Sequence, residues 1–244
     1  MTPPDSSPPS PSMPSVIAPL SSLPQFDPRR VPVLGVDAHL PRVPAAAQTA
    51  QALRLRFASA PEWVPEVVHE RAFTDRPLRH AAVLIPIVMR ERATVLLTER
   101  TVHLSTHSGQ VAFPGGSADP EDANPAATAL REAWEEVGLE VRYVEVLGEL
   151  ATYRTGTGFS ITPVVALVQP DCTLNPNAYE VADVFEVPLD YLLDPSHHRR
   201  HAFEWEGVTR EWFSMPYEDA AGKTHFIWGA TAGMLRNFYR FMLA

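Results

Sequence analysis

Two aliphatic runs dominate the middle of the chain, AAVLIPIVM at 81–89 and ATVLLTER at 93–100, joined by the charged turn Arg90-Glu91-Arg92. Apolar, β-branched runs of this length bounded by charge predict a hairpin with one strand largely buried. GQVAFPGG at 109–116 predicts a further short strand, stopped by Pro114 and the glycine pair. RYVEVLGELATY at 142–153 and SITPVVALV at 160–168 predict two more strands separated by RTGTG, and EVADVFEVPLDYLL at 180–193 passes from strand into a short helix. Helical patterns occur at three places. PAAAQTAQALRLRFAS at 44–59 opens on Pro44 and is rich in Ala, Leu and Gln. NPAATALREAWEEVG at 124–138 carries Asn124 as N-cap, Pro125 at the first helical position and Gly138 as the stop. Its residues Ala127, Leu130, Trp134 and Val137 follow a three-then-four spacing that predicts the buried face. GATAGMLRNFYRFML at 229–243 sets Leu235, Phe238, Tyr239 and Met242 at core spacing. With no internal repeat, this order predicts one mixed α/β domain.

Composition refines the outline. Residues 1–25 are so rich in Pro and Ser that they predict a disordered tail, followed by an N-terminal arm and helix over 26–75 and the organised domain over 76–244. A net charge of −9 argues against nucleic acid as a partner, because phosphate neutralisation needs clustered Lys and Arg. The single cysteine, Cys172, excludes an intramolecular disulfide and a multi-cysteine zinc site. No apolar run approaches the roughly 18–20 residues of a membrane span, and no basic, apolar leader opens the sequence, so the expected location is the cytoplasm with no membrane partner.

The chemistry concentrates in ALREAWEEVGLE at 129–140, where Glu132, Glu135 and Glu136 fall within roughly 100° of one another on a helix. Like charges at this spacing repel by a few tenths of a kcal/mol in water, and by more when partly buried, so a cation is needed nearby. Arg131 points about 100° away from Glu132 and suits bracing the preceding loop. A solvated acidic face is the ordinary explanation of such a triplet. The preceding FPGGSADPED favours a metal site instead, because paired glycines admit close backbone approach and offer carbonyl oxygens to a hard cation. Oxygen ligands of this kind suit Mg2+ or Mn2+.

Gly116, Asp122, Arg131, Glu132, Glu135, Glu136 and Gly138 together resemble the Nudix box, R-E-x-x-E-E-x-G with an upstream glycine and acid. The longer stretch LLTERTVHLSTHSGQVAFPGGSADPEDANPAATALREAWEEVGL resembles the coenzyme A diphosphatase subgroup, and the likeness extends over roughly 80–235. Two departures stand out. Asp122 lies one residue further from the arginine than the box's usual acid, and Ala133 replaces a larger aliphatic residue, with Trp134 expected to fill the space.

The resemblance implies an α/β/α sandwich with a mixed β-sheet, and hydrolysis of coenzyme A or acyl-coenzyme A as the small-molecule substrate. It implies Glu132 and Glu136 as principal metal ligands, joined by Glu135 and the Gly116 carbonyl, with Asp122 a weaker candidate and Arg131 within the catalytic group. Glu132, Glu149, Glu180 and Glu186 compete for the general base, and Glu180 is preferred. Arg100, His107 and the loop from Tyr153 through Thr155 and Gly156 to Gly158 are candidate substrate contacts, since guanidinium, hydroxyl and amide groups donate to phosphate. His197, His198 and His201, beside Arg199 and Arg200, are expected in a solvated loop, and Trp205, Trp212 and Trp228 in the core. A homodimer is among the assemblies allowed. ADP-ribose or another nucleotide sugar is the competing substrate, and a non-catalytic nucleotide-sensing module the competing class.

Overall fold

The computed structural model describes residues 26–70, 77–101, 109–205 and 207–244; the proline-rich segment 1–25 and His107 lie outside them. The chain begins with β1 (Gly35–Val36) and α1 (Ala50–Ala58), the latter capped by the Thr49 hydroxyl on Ala52 N–H at 3.3 Å and preceded by a 3-10 turn after Pro44. β2 (Arg79–Val88) and β3 (Thr94–Arg100) follow, then β4 (Val111–Ala112) and β5 (Gly115–Ser117). α2 (Pro125–Val137) leads into β6 (Val144–Glu149), β7 (Tyr153–Arg154) and β8 (Phe159–Val168). β9 (Val181–Pro188) and the short α3 (Leu189–Leu192) come next. β10 (Arg199–Trp205), β11 (Val208–Glu218), β12 (Thr224–Trp228) and α4 (Gly229–Leu243) complete the described fold.

The predicted hairpin exists only at its turn. β2 and β3 pair at Ile87↔Val95 and Val88↔Thr94, after which β2 runs parallel with β8 along its whole length and β3 runs antiparallel with β9. The resulting mixed sheet has β4-β3-β2-β8-β6 as its path, with β5 on β2, β7 on β8 and β9 on β3. The glycine pair is thus no stop: it forms β5 and bonds to Ala82 and Val83 of β2.

Alternation explains why β2 reads as an unbroken apolar run. Ala82, Leu84 and Val88 face α2 with Val164, Ala166 and Val168, whereas Val83, Ile85 and Ile87 face the opposite layer with Leu53 of α1 and Leu235 and Phe238 of α4. Each fully buried aliphatic side chain contributes roughly 1.5–3 kcal/mol. The outcome is an α/β/α sandwich around a mixed sheet. Among the described residues, no helix is long and apolar enough to cross a membrane.

A second, antiparallel sheet, β1-β10-β11-β12, has no counterpart in the sequence-based expectation. The histidine-rich patch expected as a solvated loop is largely its strand β10. His198 is fully buried with Nε2 on Leu192 O at 2.8 Å, and His201 Nε2 meets Ser214 Oγ at 2.8 Å. Burial pushes the His198 pKa down to about 4, so its ring is neutral there. Trp212 and Trp228 are half-buried around Phe26 rather than in the core, and Trp205 is exposed. The N-terminal arm is fastened by charge. Buried Arg236 of α4 pairs with Asp37 at 2.9 Å and Glu66 at 2.7 Å, and Arg200 also reaches Asp37 at 2.9 Å.

Candidate active site

α2 begins and ends where its local chemistry dictates. Asn124 Oδ1 accepts from Ala127 N–H at 2.9 Å, and Gly138 takes the left-handed conformation at φ 67°, its N–H bonding to Trp134 O at 2.9 Å. The buried stripe differs from the expected one. Ala129, Ala133, Glu136 and Val137 face the sheet, while Trp134 is 56% exposed and fills no space inside. The reason is distance: two alanines one turn apart let the helix backbone settle close on β2 and β8, where an indole does not fit.

That close approach pulls Glu136 inward. It is only 4% exposed, with Oε2 accepting from Gly115 N–H at 3.1 Å and Oε1 from Arg100 Nη1 at 3.3 Å. Burial pushes its pKa up to about 7; the Gly115 N–H and Arg100 oppose this, while the charges of Glu132 and Glu180 add to it. Glu132 is half-buried and its pKa is likewise raised by burial, against the pull of Arg131. The glycine pair sits against these acids. A Cβ on Gly115 would lie 2.5 Å from the backbone oxygen of Ala82, which excludes a side chain there, and one on Gly116 would lie 2.5 Å from the Glu132 carboxylate and would push it aside.

Arg131 does more than brace a loop. Its Nη1 donates to Glu132 Oε1 at 2.9 Å and Glu135 Oε2 at 3.3 Å, and its Nη2 to Asp122 Oδ2 and Ser117 O, both at 2.9 Å. The long side chain folds back far enough to overcome the angular offset from Glu132 that the helix geometry predicts. Asp122 is committed to this arginine, whose hydrogen bonds, with the Asp119 N–H, hold its carboxyl well below the usual carboxylate range.

The four competing carboxylates separate clearly. Asn177 N–H bonds to Glu136 O at 2.9 Å and Asn175 N–H to Val137 O at 2.9 Å, fastening the segment before β9 onto the end of α2 and bringing Glu180 beside Glu136. Glu180 Oε1 accepts from Asn177 Nδ2 at 3.3 Å. Glu186 lies toward the other end of β9, bound to Arg90 at 2.7 Å and to the Thr94 hydroxyl. Glu149 is exposed on β6. Glu132 and Glu180 therefore remain with the helix acids.

The loop after β7 is not brought among them. Tyr153 is buried, its hydroxyl donating to Glu70 Oε1 at 3.0 Å, and Gly156 N–H donates to Glu70 Oε2 at 2.9 Å. Thr155 Oγ1 accepts from Phe159 N–H at 3.0 Å. In the strand order β5-β2-β8-β7, Tyr153 stands three spacings from Ser117, roughly 14 Å at about 4.8 Å each. Sequence reasoning missed Glu70 and the Gly115 N–H; the doubled glycine was the available signal for the latter. Arg100, read as a phosphate contact, also serves as the partner of Glu136.

A model of the NUDIX domain matches residues 78–226. The protein named Nudix hydrolase NudL of Yersinia enterocolitica is 47% identical over 157 residues, covering 64% of this chain and 78% of that protein. Its namesake from Yersinia pestis is 45% identical over 159 residues, covering 65% and 77%. Among solved structures, a Caenorhabditis elegans Ap4A hydrolase binary complex aligns with a TM-score of 0.40 at 18% identity, covering 49% of this chain and 86% of that one.

Proposed function

Because the chain belongs to the Nudix hydrolase family, we propose that it hydrolyses the diphosphate linkage of coenzyme A and acyl-coenzyme A in the cytoplasm, releasing 3′,5′-ADP and (acyl-)4′-phosphopantetheine. The observation that carries the hydrolytic part is the seating of Glu132 and Glu136 directly against the Gly115–Gly116 backbone. Acids and backbone there offer clustered hard oxygen donors. The choice of substrate rests on the LLTER and HSGQVAFPGG segments, which resemble the coenzyme A diphosphatase subgroup.

The donor set fits Mg2+ or Mn2+, with Glu132 and Glu136 as principal ligands and Glu135 and the Gly116 carbonyl beside them. Such a cation, when bound, neutralises the diphosphate and lowers the pKa of attacking water. The chain's own residues do the rest. Arg131 holds Glu132 and Glu135 in place through one guanidinium nitrogen while anchoring the loop through the other. Glu180, set beside Glu136, takes the proton of the attacking water as its oxygen bonds to phosphorus and the bridging P–O bond breaks. Arg100 pairs with Glu136, and its remaining guanidinium N–H groups are the candidate contact for a phosphate oxygen.

Incubation with coenzyme A, acyl-coenzyme A, ADP-ribose and dinucleotides, with and without Mn2+, followed by product masses, tests the assignment. The expected products are the two halves of coenzyme A, formed only with the cation. Turnover confined to ADP-ribose would move the substrate to nucleotide sugars, and binding without turnover would sink the enzyme assignment.

A further inference from the structure

On the face of the main sheet opposite α2, β3, β9 and β12 bring Glu99, Asp183 and His225 together, with one donor atom from each within 4.8 Å of the others. Glu99 and Asp183 are direct partners in the β3–β9 ladder. Strand alternation sends the two neighbours to opposite faces: Arg100 turns toward Glu136 of α2, and Glu99 turns toward β12. The trio is therefore distinct from the helix acids.

His225 shows what this cluster lacks. Its ring is fully buried and stacks on Phe185 at 3.6 Å between centroids. Its Nε2 lies 3.0 Å from Asp219 Oδ2, and the other Asp219 oxygen accepts the N–H groups of Ala221 and Lys223, both at 2.9 Å. An acceptor facing Nε2 selects the tautomer with its N–H there and its lone pair on Nδ1. Nδ1 has no hydrogen-bond partner and faces Glu99 Oε2 at 4.0 Å. Two lone pairs thus converge where a cation belongs. A carboxylate fixing the far nitrogen of a histidine is also how metal-binding histidines are oriented.

Lys223 stands in for that cation. Its Nζ lies 2.9 Å from Glu99 Oε2 and 2.7 Å from Asp183 Oδ2, on a side chain that is nearly half exposed and free to swing outward. We propose that Glu99, Asp183 and His225 form a second divalent-cation site, and that Lys223 is its built-in competitor. One imidazole and two carboxylates suit a transition ion such as Zn2+, at about 2.0–2.2 Å from each ligand atom, a contraction that displacement of the ammonium permits.

Calorimetric titration with ZnCl2, in a chain carrying Glu132→Gln and Glu136→Gln to silence the helix acids, tests the site. One Zn2+ per chain is expected to remain. Adding Glu99→Gln should weaken it on the order of 100-fold, and Asp219→Asn by about 10-fold to 100-fold through the histidine's orientation. Lys223→Met should tighten it by about tenfold, and Co2+ should give visible absorption that His225→Gln abolishes. Because His225 is buried and its variant can fail to fold, the exposed Lys223→Met supplies the independent reading. No Zn2+ bound in the silenced chain, binding indifferent to Glu99→Gln, or affinity unchanged by Lys223→Met would each reduce the trio to an ion pair neutralised by lysine.

Discussion

The two faces of the main sheet each gather acids, but they neutralise them differently. On the α2 face, Arg131 reaches Glu132, Glu135, Asp122 and the Ser117 carbonyl at once. On the far face, Lys223 places one ammonium between Glu99 and Asp183. A planar guanidinium that takes one oxygen from each of several acids holds them in place, whereas a compact ammonium on a flexible stem occupies the space between two of them until something binds better. Fixed charge and exchangeable charge are thus separated by the thickness of one sheet.

The largest expected effect on this contrast is Glu136→Gln. On the proposed assignment of Glu136 as a principal metal ligand, its loss removes several kcal/mol of transition-state stabilisation, so kcat for coenzyme A should fall about a thousandfold in the presence of Mn2+. Undiminished turnover would overturn the role of the α2 face.

The same change should stabilise the metal-free protein. The Glu136 carboxyl titrates at about 7 in the fold against an ordinary 4.5, a raised value. Its contribution is therefore fully present below pH 4.5 and is lost as the pH rises through 7. At about 1.4 kcal/mol per pH unit, the loss is on the order of 3 kcal/mol. Urea unfolding in EDTA should show wild type losing this relative to Glu136→Gln between pH 4.5 and pH 8, and parallel curves would contradict it.

Gly116→Ala should be felt more in catalysis than in stability. Its Cβ meets only the movable end of Glu132, so unfolding should change by about 1 kcal/mol or less while kcat drops 10-fold to 100-fold, on the order expected for a misplacement near 1 Å. Arg131→Lys keeps the charge but not the fork, and kcat/KM should fall about tenfold. Smallest of all is the exposed Arg54–Glu145 pair on α1 and β6. Arg54→Ala should leave both the unfolding midpoint and kcat indistinguishable from wild type, which sets the baseline for a charge outside either face.

Much of this was legible locally. Asn124, Pro125 and Gly138 bound α2 because capping is settled within a few residues. The helix acids with the glycine pair before them marked the candidate site for the same reason. What failed depends on partners far along the chain. Hydrophobicity puts Trp134 inward, yet the spacing between helix and sheet admits Ala129 and Ala133 and makes room for Glu136, whose partners Gly115 and Arg100 belong to other strands. β10 was hidden because Arg199, Arg200 and Glu204 interrupt its apolar pattern, and Arg200 finds Asp37 across 163 positions. The trio of Glu99, Asp183 and His225 was likewise invisible until three separate strands met.

The clasp of Arg236 by Asp37 and Glu66 also orders events in time. Translation delivers Asp37 199 positions and Glu66 170 positions ahead of Arg236, and Arg200, which emerges before it, reaches the two acids at 2.9 Å and 3.3 Å while the intervening sheets collapse. Only when α4 leaves the ribosome can the Arg236 guanidinium be enclosed, and until then the layer that holds α1 lacks Leu235 and Phe238. A nascent chain stalled before residue 229 should for that reason remain open to proteases, because Arg236 of α4 has not yet closed on Asp37 and Glu66.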